Sequence, residues 1–160
     1  MVVREIQFYR GDMQLYNLHI QTEDTLMTRI NVIAPEELHK KHLLGEIHEI
    51  TRVYGLVRKA QDRKINKYNV KEKLKQPLQY TLGTGHVLFF YTRLMFVTER
   101  YYALCKEAIS RGYNVNPIDE NSLTQGIDKW WFGDYDVTQE AIEENKTRIA
   151  ERLEQMKKEK

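Results

Sequence analysis

Leu43, Ile47, Ile50, Tyr54 and Val57 recur at spacings of four, three, four and three residues. That is the period of a helix turning one face to a core, and no alternating strand can carry it. A second series follows the punctuation at Pro77 and Gly83-Thr84-Gly85: Phe90, Leu94, Val97, Tyr101, Leu104 and Ala108. It is read as core and not as a ligand pocket, and the helix is expected to stop at Arg111-Gly112, since glycine is the usual C-terminal stop. A third helix is expected from about Thr138, with Ile142, Ile149, Leu153 and Met156 inward and Arg148 and Arg152 one turn apart on another side. Strand patterning is confined to Arg4 to Tyr9 and Leu15 to Ile20. The expected fold is all-α: a single compact domain of three main helices with irregular loops over residues 27–160, preceded by an N-terminal extension, residues 1–26.

With 160 residues, 41% of them hydrophobic, the chain can bury its own core. Its one cysteine, Cys105, has no internal disulfide partner and sits in an apolar helix, which suits a reducing, cytoplasmic setting. The greasiest stretch, Val87 to Ile109, is interrupted by Arg93, Glu99, Arg100, Lys106 and Glu107, so it reads as a core helix and no membrane partner is expected. Residues 1–26 lack the basic-then-apolar order of a secretory leader. Gly83 and Gly85 come without a P-loop lysine or a strand-turn-helix fingerprint, so no nucleotide cofactor is expected.

Net charge is only +2, yet it is unevenly spread. Residues 27–113 hold sixteen basic against eight acidic side chains, whereas the flanking parts are acidic. Arg52, Arg58, Lys59, Arg63, Lys64, Lys67, Lys71, Lys73 and Lys75 fall in one run against Asp62 and Glu72. Such a field attracts a polyanion, in a way that weakens with salt.

The other flank of the first helix carries chemistry. His42, Glu46 and Glu49 fall within about 60° of one another around the axis, beside Gly45. Helix packing alone does not call for two carboxylates there. Upstream, Met27-Thr28 offers a threonine that becomes an N-terminus if the chain starts at Met27. An α-amine titrates about two units below a lysine side chain, so near neutral pH much more of it is nucleophilic. Within the full chain Thr28 nitrogen is an amide and forms no imine, so catalysis through it requires a chain that begins at Thr28. A metal reading of His39, His42, His48 and Glu46 fails on direction, because His48 points about 120° away from His42. No metal is expected.

These residues stand in a larger pattern. Met27-Thr28-Arg29-Ile30-Asn31 is followed by His42-Leu43-Leu44-x-Glu46-x-x-Glu49-Ile50-x-Arg52-Val53-x-Gly55-x-Val57-Arg58-Lys59. Then come Leu82-Gly83-x-Gly85-His86-Val87-x-Phe89-Phe90-Tyr91, Arg111-Gly112-Tyr113-Asn114 and Gly133-Asp134-Tyr135. In this order and at this spacing they resemble the pyrimidine-dimer DNA glycosylases of the phage endonuclease V type, over residues 27 to about 157. The resemblance implies that the α-amine of Thr28 attacks C1′ of the damaged nucleotide, that the base leaves, and that Glu49 assists strand cleavage by β-elimination. It implies phosphate contacts from Arg29, Arg52, Arg148 and Arg152, and a lesion-contacting surface that includes Lys41 and His48, with His42 beside them in the DNA-binding set. Arg58 and Lys59 join the DNA-binding set through the basic run. The expected partner is double-stranded damaged DNA, engaged by a monomer without metal or small-molecule cofactor.

The chain departs from the family pattern in four places. Residues 1–26 precede the threonine. His48 stands where the family has arginine, and Lys41 where it has glutamine. The basic loop is a few residues longer. The end, Glu154 to Lys160, lacks the family's aromatic and basic tail, and no aromatic follows Tyr135. Trp130, Trp131 and Phe132 offer stacking elsewhere, although packing a loop over the helices is the plainer role. Two alternatives therefore stand beside a dimer-specific glycosylase with AP lyase activity: the same chemistry on another lesion or on abasic sites, and a non-catalytic protein that binds damaged DNA.

Overall fold

The computed structural model describes residues 29–159. The N-terminal extension with its possible strands, and Thr28, lie outside the described residues. Among the described residues seven α-helices follow in chain order: α1 Lys40–Ile50, α2 Arg52–Asp62, α3 Val70–Leu74, α4 His86–Phe90, α5 Leu94–Ser110, α6 Glu120–Thr124 and α7 Gln139–Lys158. Single 3-10 turns occupy Pro35–Glu37 and Lys129–Trp131. Among the described residues β pairing is limited to one isolated bridge, Arg93 to Phe132. The all-α expectation holds.

Every member of the first two apolar series is buried, and α1 packs directly against α5. Fully burying a side chain the size of leucine or isoleucine contributes about 1.5–3 kcal/mol, so this seam carries much of the fold. The series did not, however, form single helices. The first breaks at Thr51, whose hydroxyl donates to His48 O at 3.1 Å. A hydroxyl bonding one turn back competes with the helical ladder. The apolar stripe hides the break because Ile50, Val53, Tyr54 and Val57 stay in phase across it.

The second series is divided at 91–93 by a visitor from far along the chain. Gly133 N donates to Thr92 O at 3.1 Å, and Gly133 O accepts from Met95 N at 3.0 Å and Phe96 N at 3.4 Å. A remote carbonyl thus satisfies the first open donors of α5. Only glycine fits, since a Cβ there would lie 2.4 Å from Thr92 O. At the other end Gly112, at φ +87°, sends its N–H to Ile109 O, and Tyr113 N–H reaches Ala108 O. This is the stop expected at Arg111-Gly112. Arg111 then ties α5 to the first 3-10 turn through Leu38 O at 2.8 Å and Pro35 O and Glu36 O at 3.2 Å.

The third helix starts where expected, with Thr138 Oγ1 accepting from Ala141 N at 3.1 Å as an N-cap. Ile149 is buried, and Ile142 and Leu153 pack at the core edge. Between them Asn145 is completely buried, a polar residue in an apolar stripe. Trp131 is also fully buried, with its indole N–H on Gln61 Oε1 at 3.1 Å, so it packs and does not stack on a ligand. Burial pushes the Cys105 thiol up to about 11, leaving it inert. No helix among the described residues is long and apolar enough to cross a membrane.

Candidate active site

Residues 29–33 form no helix, yet each backbone N–H in this segment is received by a side chain from elsewhere. Arg29 N donates to Glu49 Oε2 at 3.3 Å and Ile30 N to His86 Nε2 at 2.8 Å. Asn31 N donates to Glu46 Oε2 at 3.2 Å, and Val32 N and Ile33 N both reach Asn145 Oδ1, at 2.6 and 3.3 Å. The carbonyls of Ile30 and Ile33 accept from Tyr80 OH at 3.1 Å and Arg100 Nη1 at 2.8 Å. Buried backbone groups must be paired, and here α1, α4, α5 and α7 all contribute to the pairing.

The tautomer of His86 follows from its partners. Ile30 N is a donor, so Nε2 is the acceptor, and Nδ1 carries the proton toward Thr81 O at 2.7 Å. Burial lowers its pKa to about 4, which keeps the ring neutral. Burial likewise holds Tyr80 protonated as a donor.

Two carboxylates emerge from α1 one turn apart, and the structure divides their labour. Glu46 is 2% exposed and saturated: Arg100 donates from Nε to Oε2 at 2.5 Å and from Nη2 to Oε1 at 3.0 Å, and Asn31 Nδ2 also donates to Oε1, at 2.7 Å. A buried bidentate pair with further hydrogen bonds is a structural element. Glu49, 3% exposed, has no cation in bidentate contact among the described residues. Burial raises its pKa above the ordinary glutamate value, opposed by the Arg29 N–H bond and by the charges of Arg52 and Arg29. A buried carboxylate made more basic by desolvation is suited to accept a proton.

Cationic side chains gather around this group. His42 is pushed down to about 4 by burial first and then by His39, Arg152, Arg29 and Lys41, so those charges converge on one place. Its buried Nδ1 has no hydrogen-bond partner among the described residues. Arg52 acts on both Glu49 and His48, whose pKa is lowered by burial and by that arginine. The structure therefore brings together Arg29, Lys41, His42, His48, Glu49, Arg52 and Arg152. Arg148 lies one turn before Arg152 and pairs with Glu151 at 3.7 Å. Arg58 is used differently: its guanidinium bonds Leu123 O at 2.6 Å and Gln125 O at 3.0 Å, pinning the end of α6 to α2. Lys59 is exposed on α2.

Asn145, Arg100, Tyr80 and His86 hold the segment beside Glu49 and were not among the sequence candidates. The readable signal was Asn145, spaced four residues from both Ala141 and Ile149 on an apolar face. Among the described residues no three His, Cys, Asp or Glu side chains are grouped to hold a metal ion. A family model described as pyrimidine dimer DNA glycosylase matches residues 27–121. The match spans more than half the chain, from the segment that the buried side chains hold through Glu46, Glu49, the basic run and α5 to the start of α6. The chain belongs to the pyrimidine dimer DNA glycosylase family, a family of DNA-repair enzymes acting on DNA.

Proposed function

We propose that the protein is a damage-specific DNA glycosylase with AP lyase activity, using the α-amine of Thr28 as nucleophile in a chain that begins at that residue. One observation carries the reading: Arg29 N–H donates to Glu49 Oε2. The α-nitrogen of Thr28 is separated from Arg29 N by only a few covalent bonds, about 4 Å at most by standard backbone dimensions. The start of the family match at residue 27 supports Met27 as the functional start, with the methionine removed.

In the reaction the amine lone pair attacks C1′ of the flipped nucleotide. The bond from C1′ to the base breaks, and the base leaves with that electron pair and gains a proton; the nitrogen loses a proton, its lone pair then expels O4′ from C1′ as O4′ takes up a proton, and the opened sugar is left as a C1′ iminium. The Glu49 carboxylate stabilises this cation and takes a proton from C2′. The released pair forms the double bond that expels the 3′ phosphate. Arg29, Arg52, Arg148 and Arg152 hold phosphates, which positions the duplex without reading sequence. The orphaned His42 Nδ1 offers a further polar contact to the substrate. All these groups come from one chain, so a monomer suffices, and no step calls for a metal. Flipping is easiest where damage has already weakened pairing.

A second reading concerns the lesion. His48 stands in the cationic surface with a lowered pKa, so near neutral pH it supplies a ring and not a charge. A permanent cation at that position would favour a different substrate contact, which opens the site to lesions other than the dimer. Competition among defined lesions in one duplex context separates the two.

The test is borohydride trapping on ultraviolet-irradiated duplex DNA, with protein initiated at Met1 and at Met27 side by side. A covalent complex from the Met27 form alone is expected. Trapping by neither, or undiminished trapping after the Thr28 amine is acetylated, overturns the mechanism.

A further inference from the structure

Asn145 lies on α7 beyond the matched family region and is completely buried between Ala141 and Ile149. Its carboxamide oxygen accepts from Val32 N at 2.6 Å and Ile33 N at 3.3 Å, and its nitrogen donates to Asn31 Oδ1 at 2.7 Å. An apolar side chain would fill this place in the stripe equally well, so the carboxamide is explained by the segment it grips. The partner lies 113 residues away in the chain. Arg148 and Arg152 follow on the same helix, and the charge of Arg152 reaches His42.

We propose that Asn145 is a positioning residue for the amine-bearing end. It sets the register of residues 31–33, and through them couples the helix that carries Arg148 and Arg152 to the seating of Arg29 N–H on Glu49, the bond next to the proposed nucleophile. The inference rests on the amine mechanism proposed above. Asn145 touches no reacting atom. Its effect is geometric, and displacement of a nucleophile by about 1 Å costs on the order of 100-fold in rate.

The experiment uses the full domain initiated at Met27, with methionine removed, and saturating duplex DNA carrying a single abasic site. Borohydride trapping is followed in time. The amplitude per protein gives the folded, active fraction, and the rate constant gives positioning. Asn145→Leu keeps the branched shape and removes all three bonds; it should slow imine formation about 10- to 100-fold while DNA affinity and amplitude are retained. Ile149→Ala destabilises the same helix through a side chain that makes no hydrogen bond to the segment, and its rate constant should match the unsubstituted protein. A normal rate constant for Asn145→Leu, or an equal slowing by Ile149→Ala, overturns the proposal. If Asn145→Leu yields no folded protein, Asn145→Asp and Asn145→Ser take its place. The aspartate keeps an oxygen within reach of both amides and must outpace the serine; equal rate constants overturn the proposal. Absence of trapping by the unsubstituted protein brings down the amine mechanism itself, whereas the outcomes above leave that mechanism standing.

Discussion

Residues 29–33 and 63–75 are both largely irregular, and they are held in opposite ways. The first segment is fixed from outside, since its amides end on Glu49, His86, Glu46 and Asn145. The second is fixed by its own sequence. Asn66 N donates to Asn69 Oδ1 at 2.8 Å, Tyr68 N to Asn66 Oδ1 at 2.9 Å, and Asn69 Nδ2 to Lys64 O at 3.1 Å. Ile65 and Val70 are its buried anchors, while Tyr68 is 86% exposed and the cations point outward. On the proposed mechanism the first segment has a nucleophile to place to within a fraction of an ångström, and the whole core takes part in holding it. Where a field of charge has only to attract a polyanion, local turn chemistry is enough.

The sharpest way to break this contrast is Arg100→Leu. It leaves Glu46 buried without its cation and frees Ile33 O, so urea unfolding should show a loss of about 3–5 kcal/mol. A loss under about 1 kcal/mol would mean that the segment is not held through the core. Next comes Glu49→Gln, which keeps an acceptor for Arg29 N–H and should leave stability nearly unchanged. Strand cleavage on abasic duplex, read on a denaturing gel, should fall about 100-fold or more. Full cleavage would return Glu49 to the role that Glu46 fills.

His86 gives the contrast a pH dependence. Its folded pKa is about 4, against 6.5 unperturbed. Between these values the unfolded chain binds the proton and the folded chain does not, so stability falls as pH drops from 6.5 toward 4 and is complete above that window. Fully expressed, the loss is about 3 kcal/mol. Denaturation midpoints measured across this range should show the slope, and His86→Gln should remove about half of it, since His42 is also held at about 4 by burial. The smallest effect is expected in the basic segment. Lys67→Ala, Tyr68→Ala and Lys71→Ala together should leave stability within about 0.5 kcal/mol. The salt slope of DNA binding should fall by about one for each phosphate left without its lysine, with the trapping rate at saturating DNA unaltered. A slowed rate at saturation would show that the exposed segment also positions the reaction.

How far this could be read from the chain depended on range. The three apolar series named the core, and Thr138 and Gly112 marked helix ends through chemistry confined to a turn. Breaks were invisible where their cause was remote, as with Gly133 reaching back to Thr92, or where the stripe stayed in phase, as at Thr51. The same limit governed the site. Helical spacing put His42, Glu46 and Glu49 on one flank, but which carboxylate was spent on structure depended on Arg100, fifty-four residues away. Arg58 looked like one more cation in a basic run until Leu123 and Gln125 supplied the carbonyls it bonds.

The bond from Val32 to Asn145 also sets an order of events during synthesis. A ribosome adds residues from the N-terminus, and domains complete themselves only as their last elements emerge. The segment next to Glu49 is made first, yet two of its amides must wait for a side chain encoded 113 residues later. A nascent or truncated chain lacking α7 carries Glu49 and the basic run but no finished seat for residues 32 and 33. On the amine mechanism proposed above, an incomplete copy has no placed nucleophile until translation has delivered the final helix.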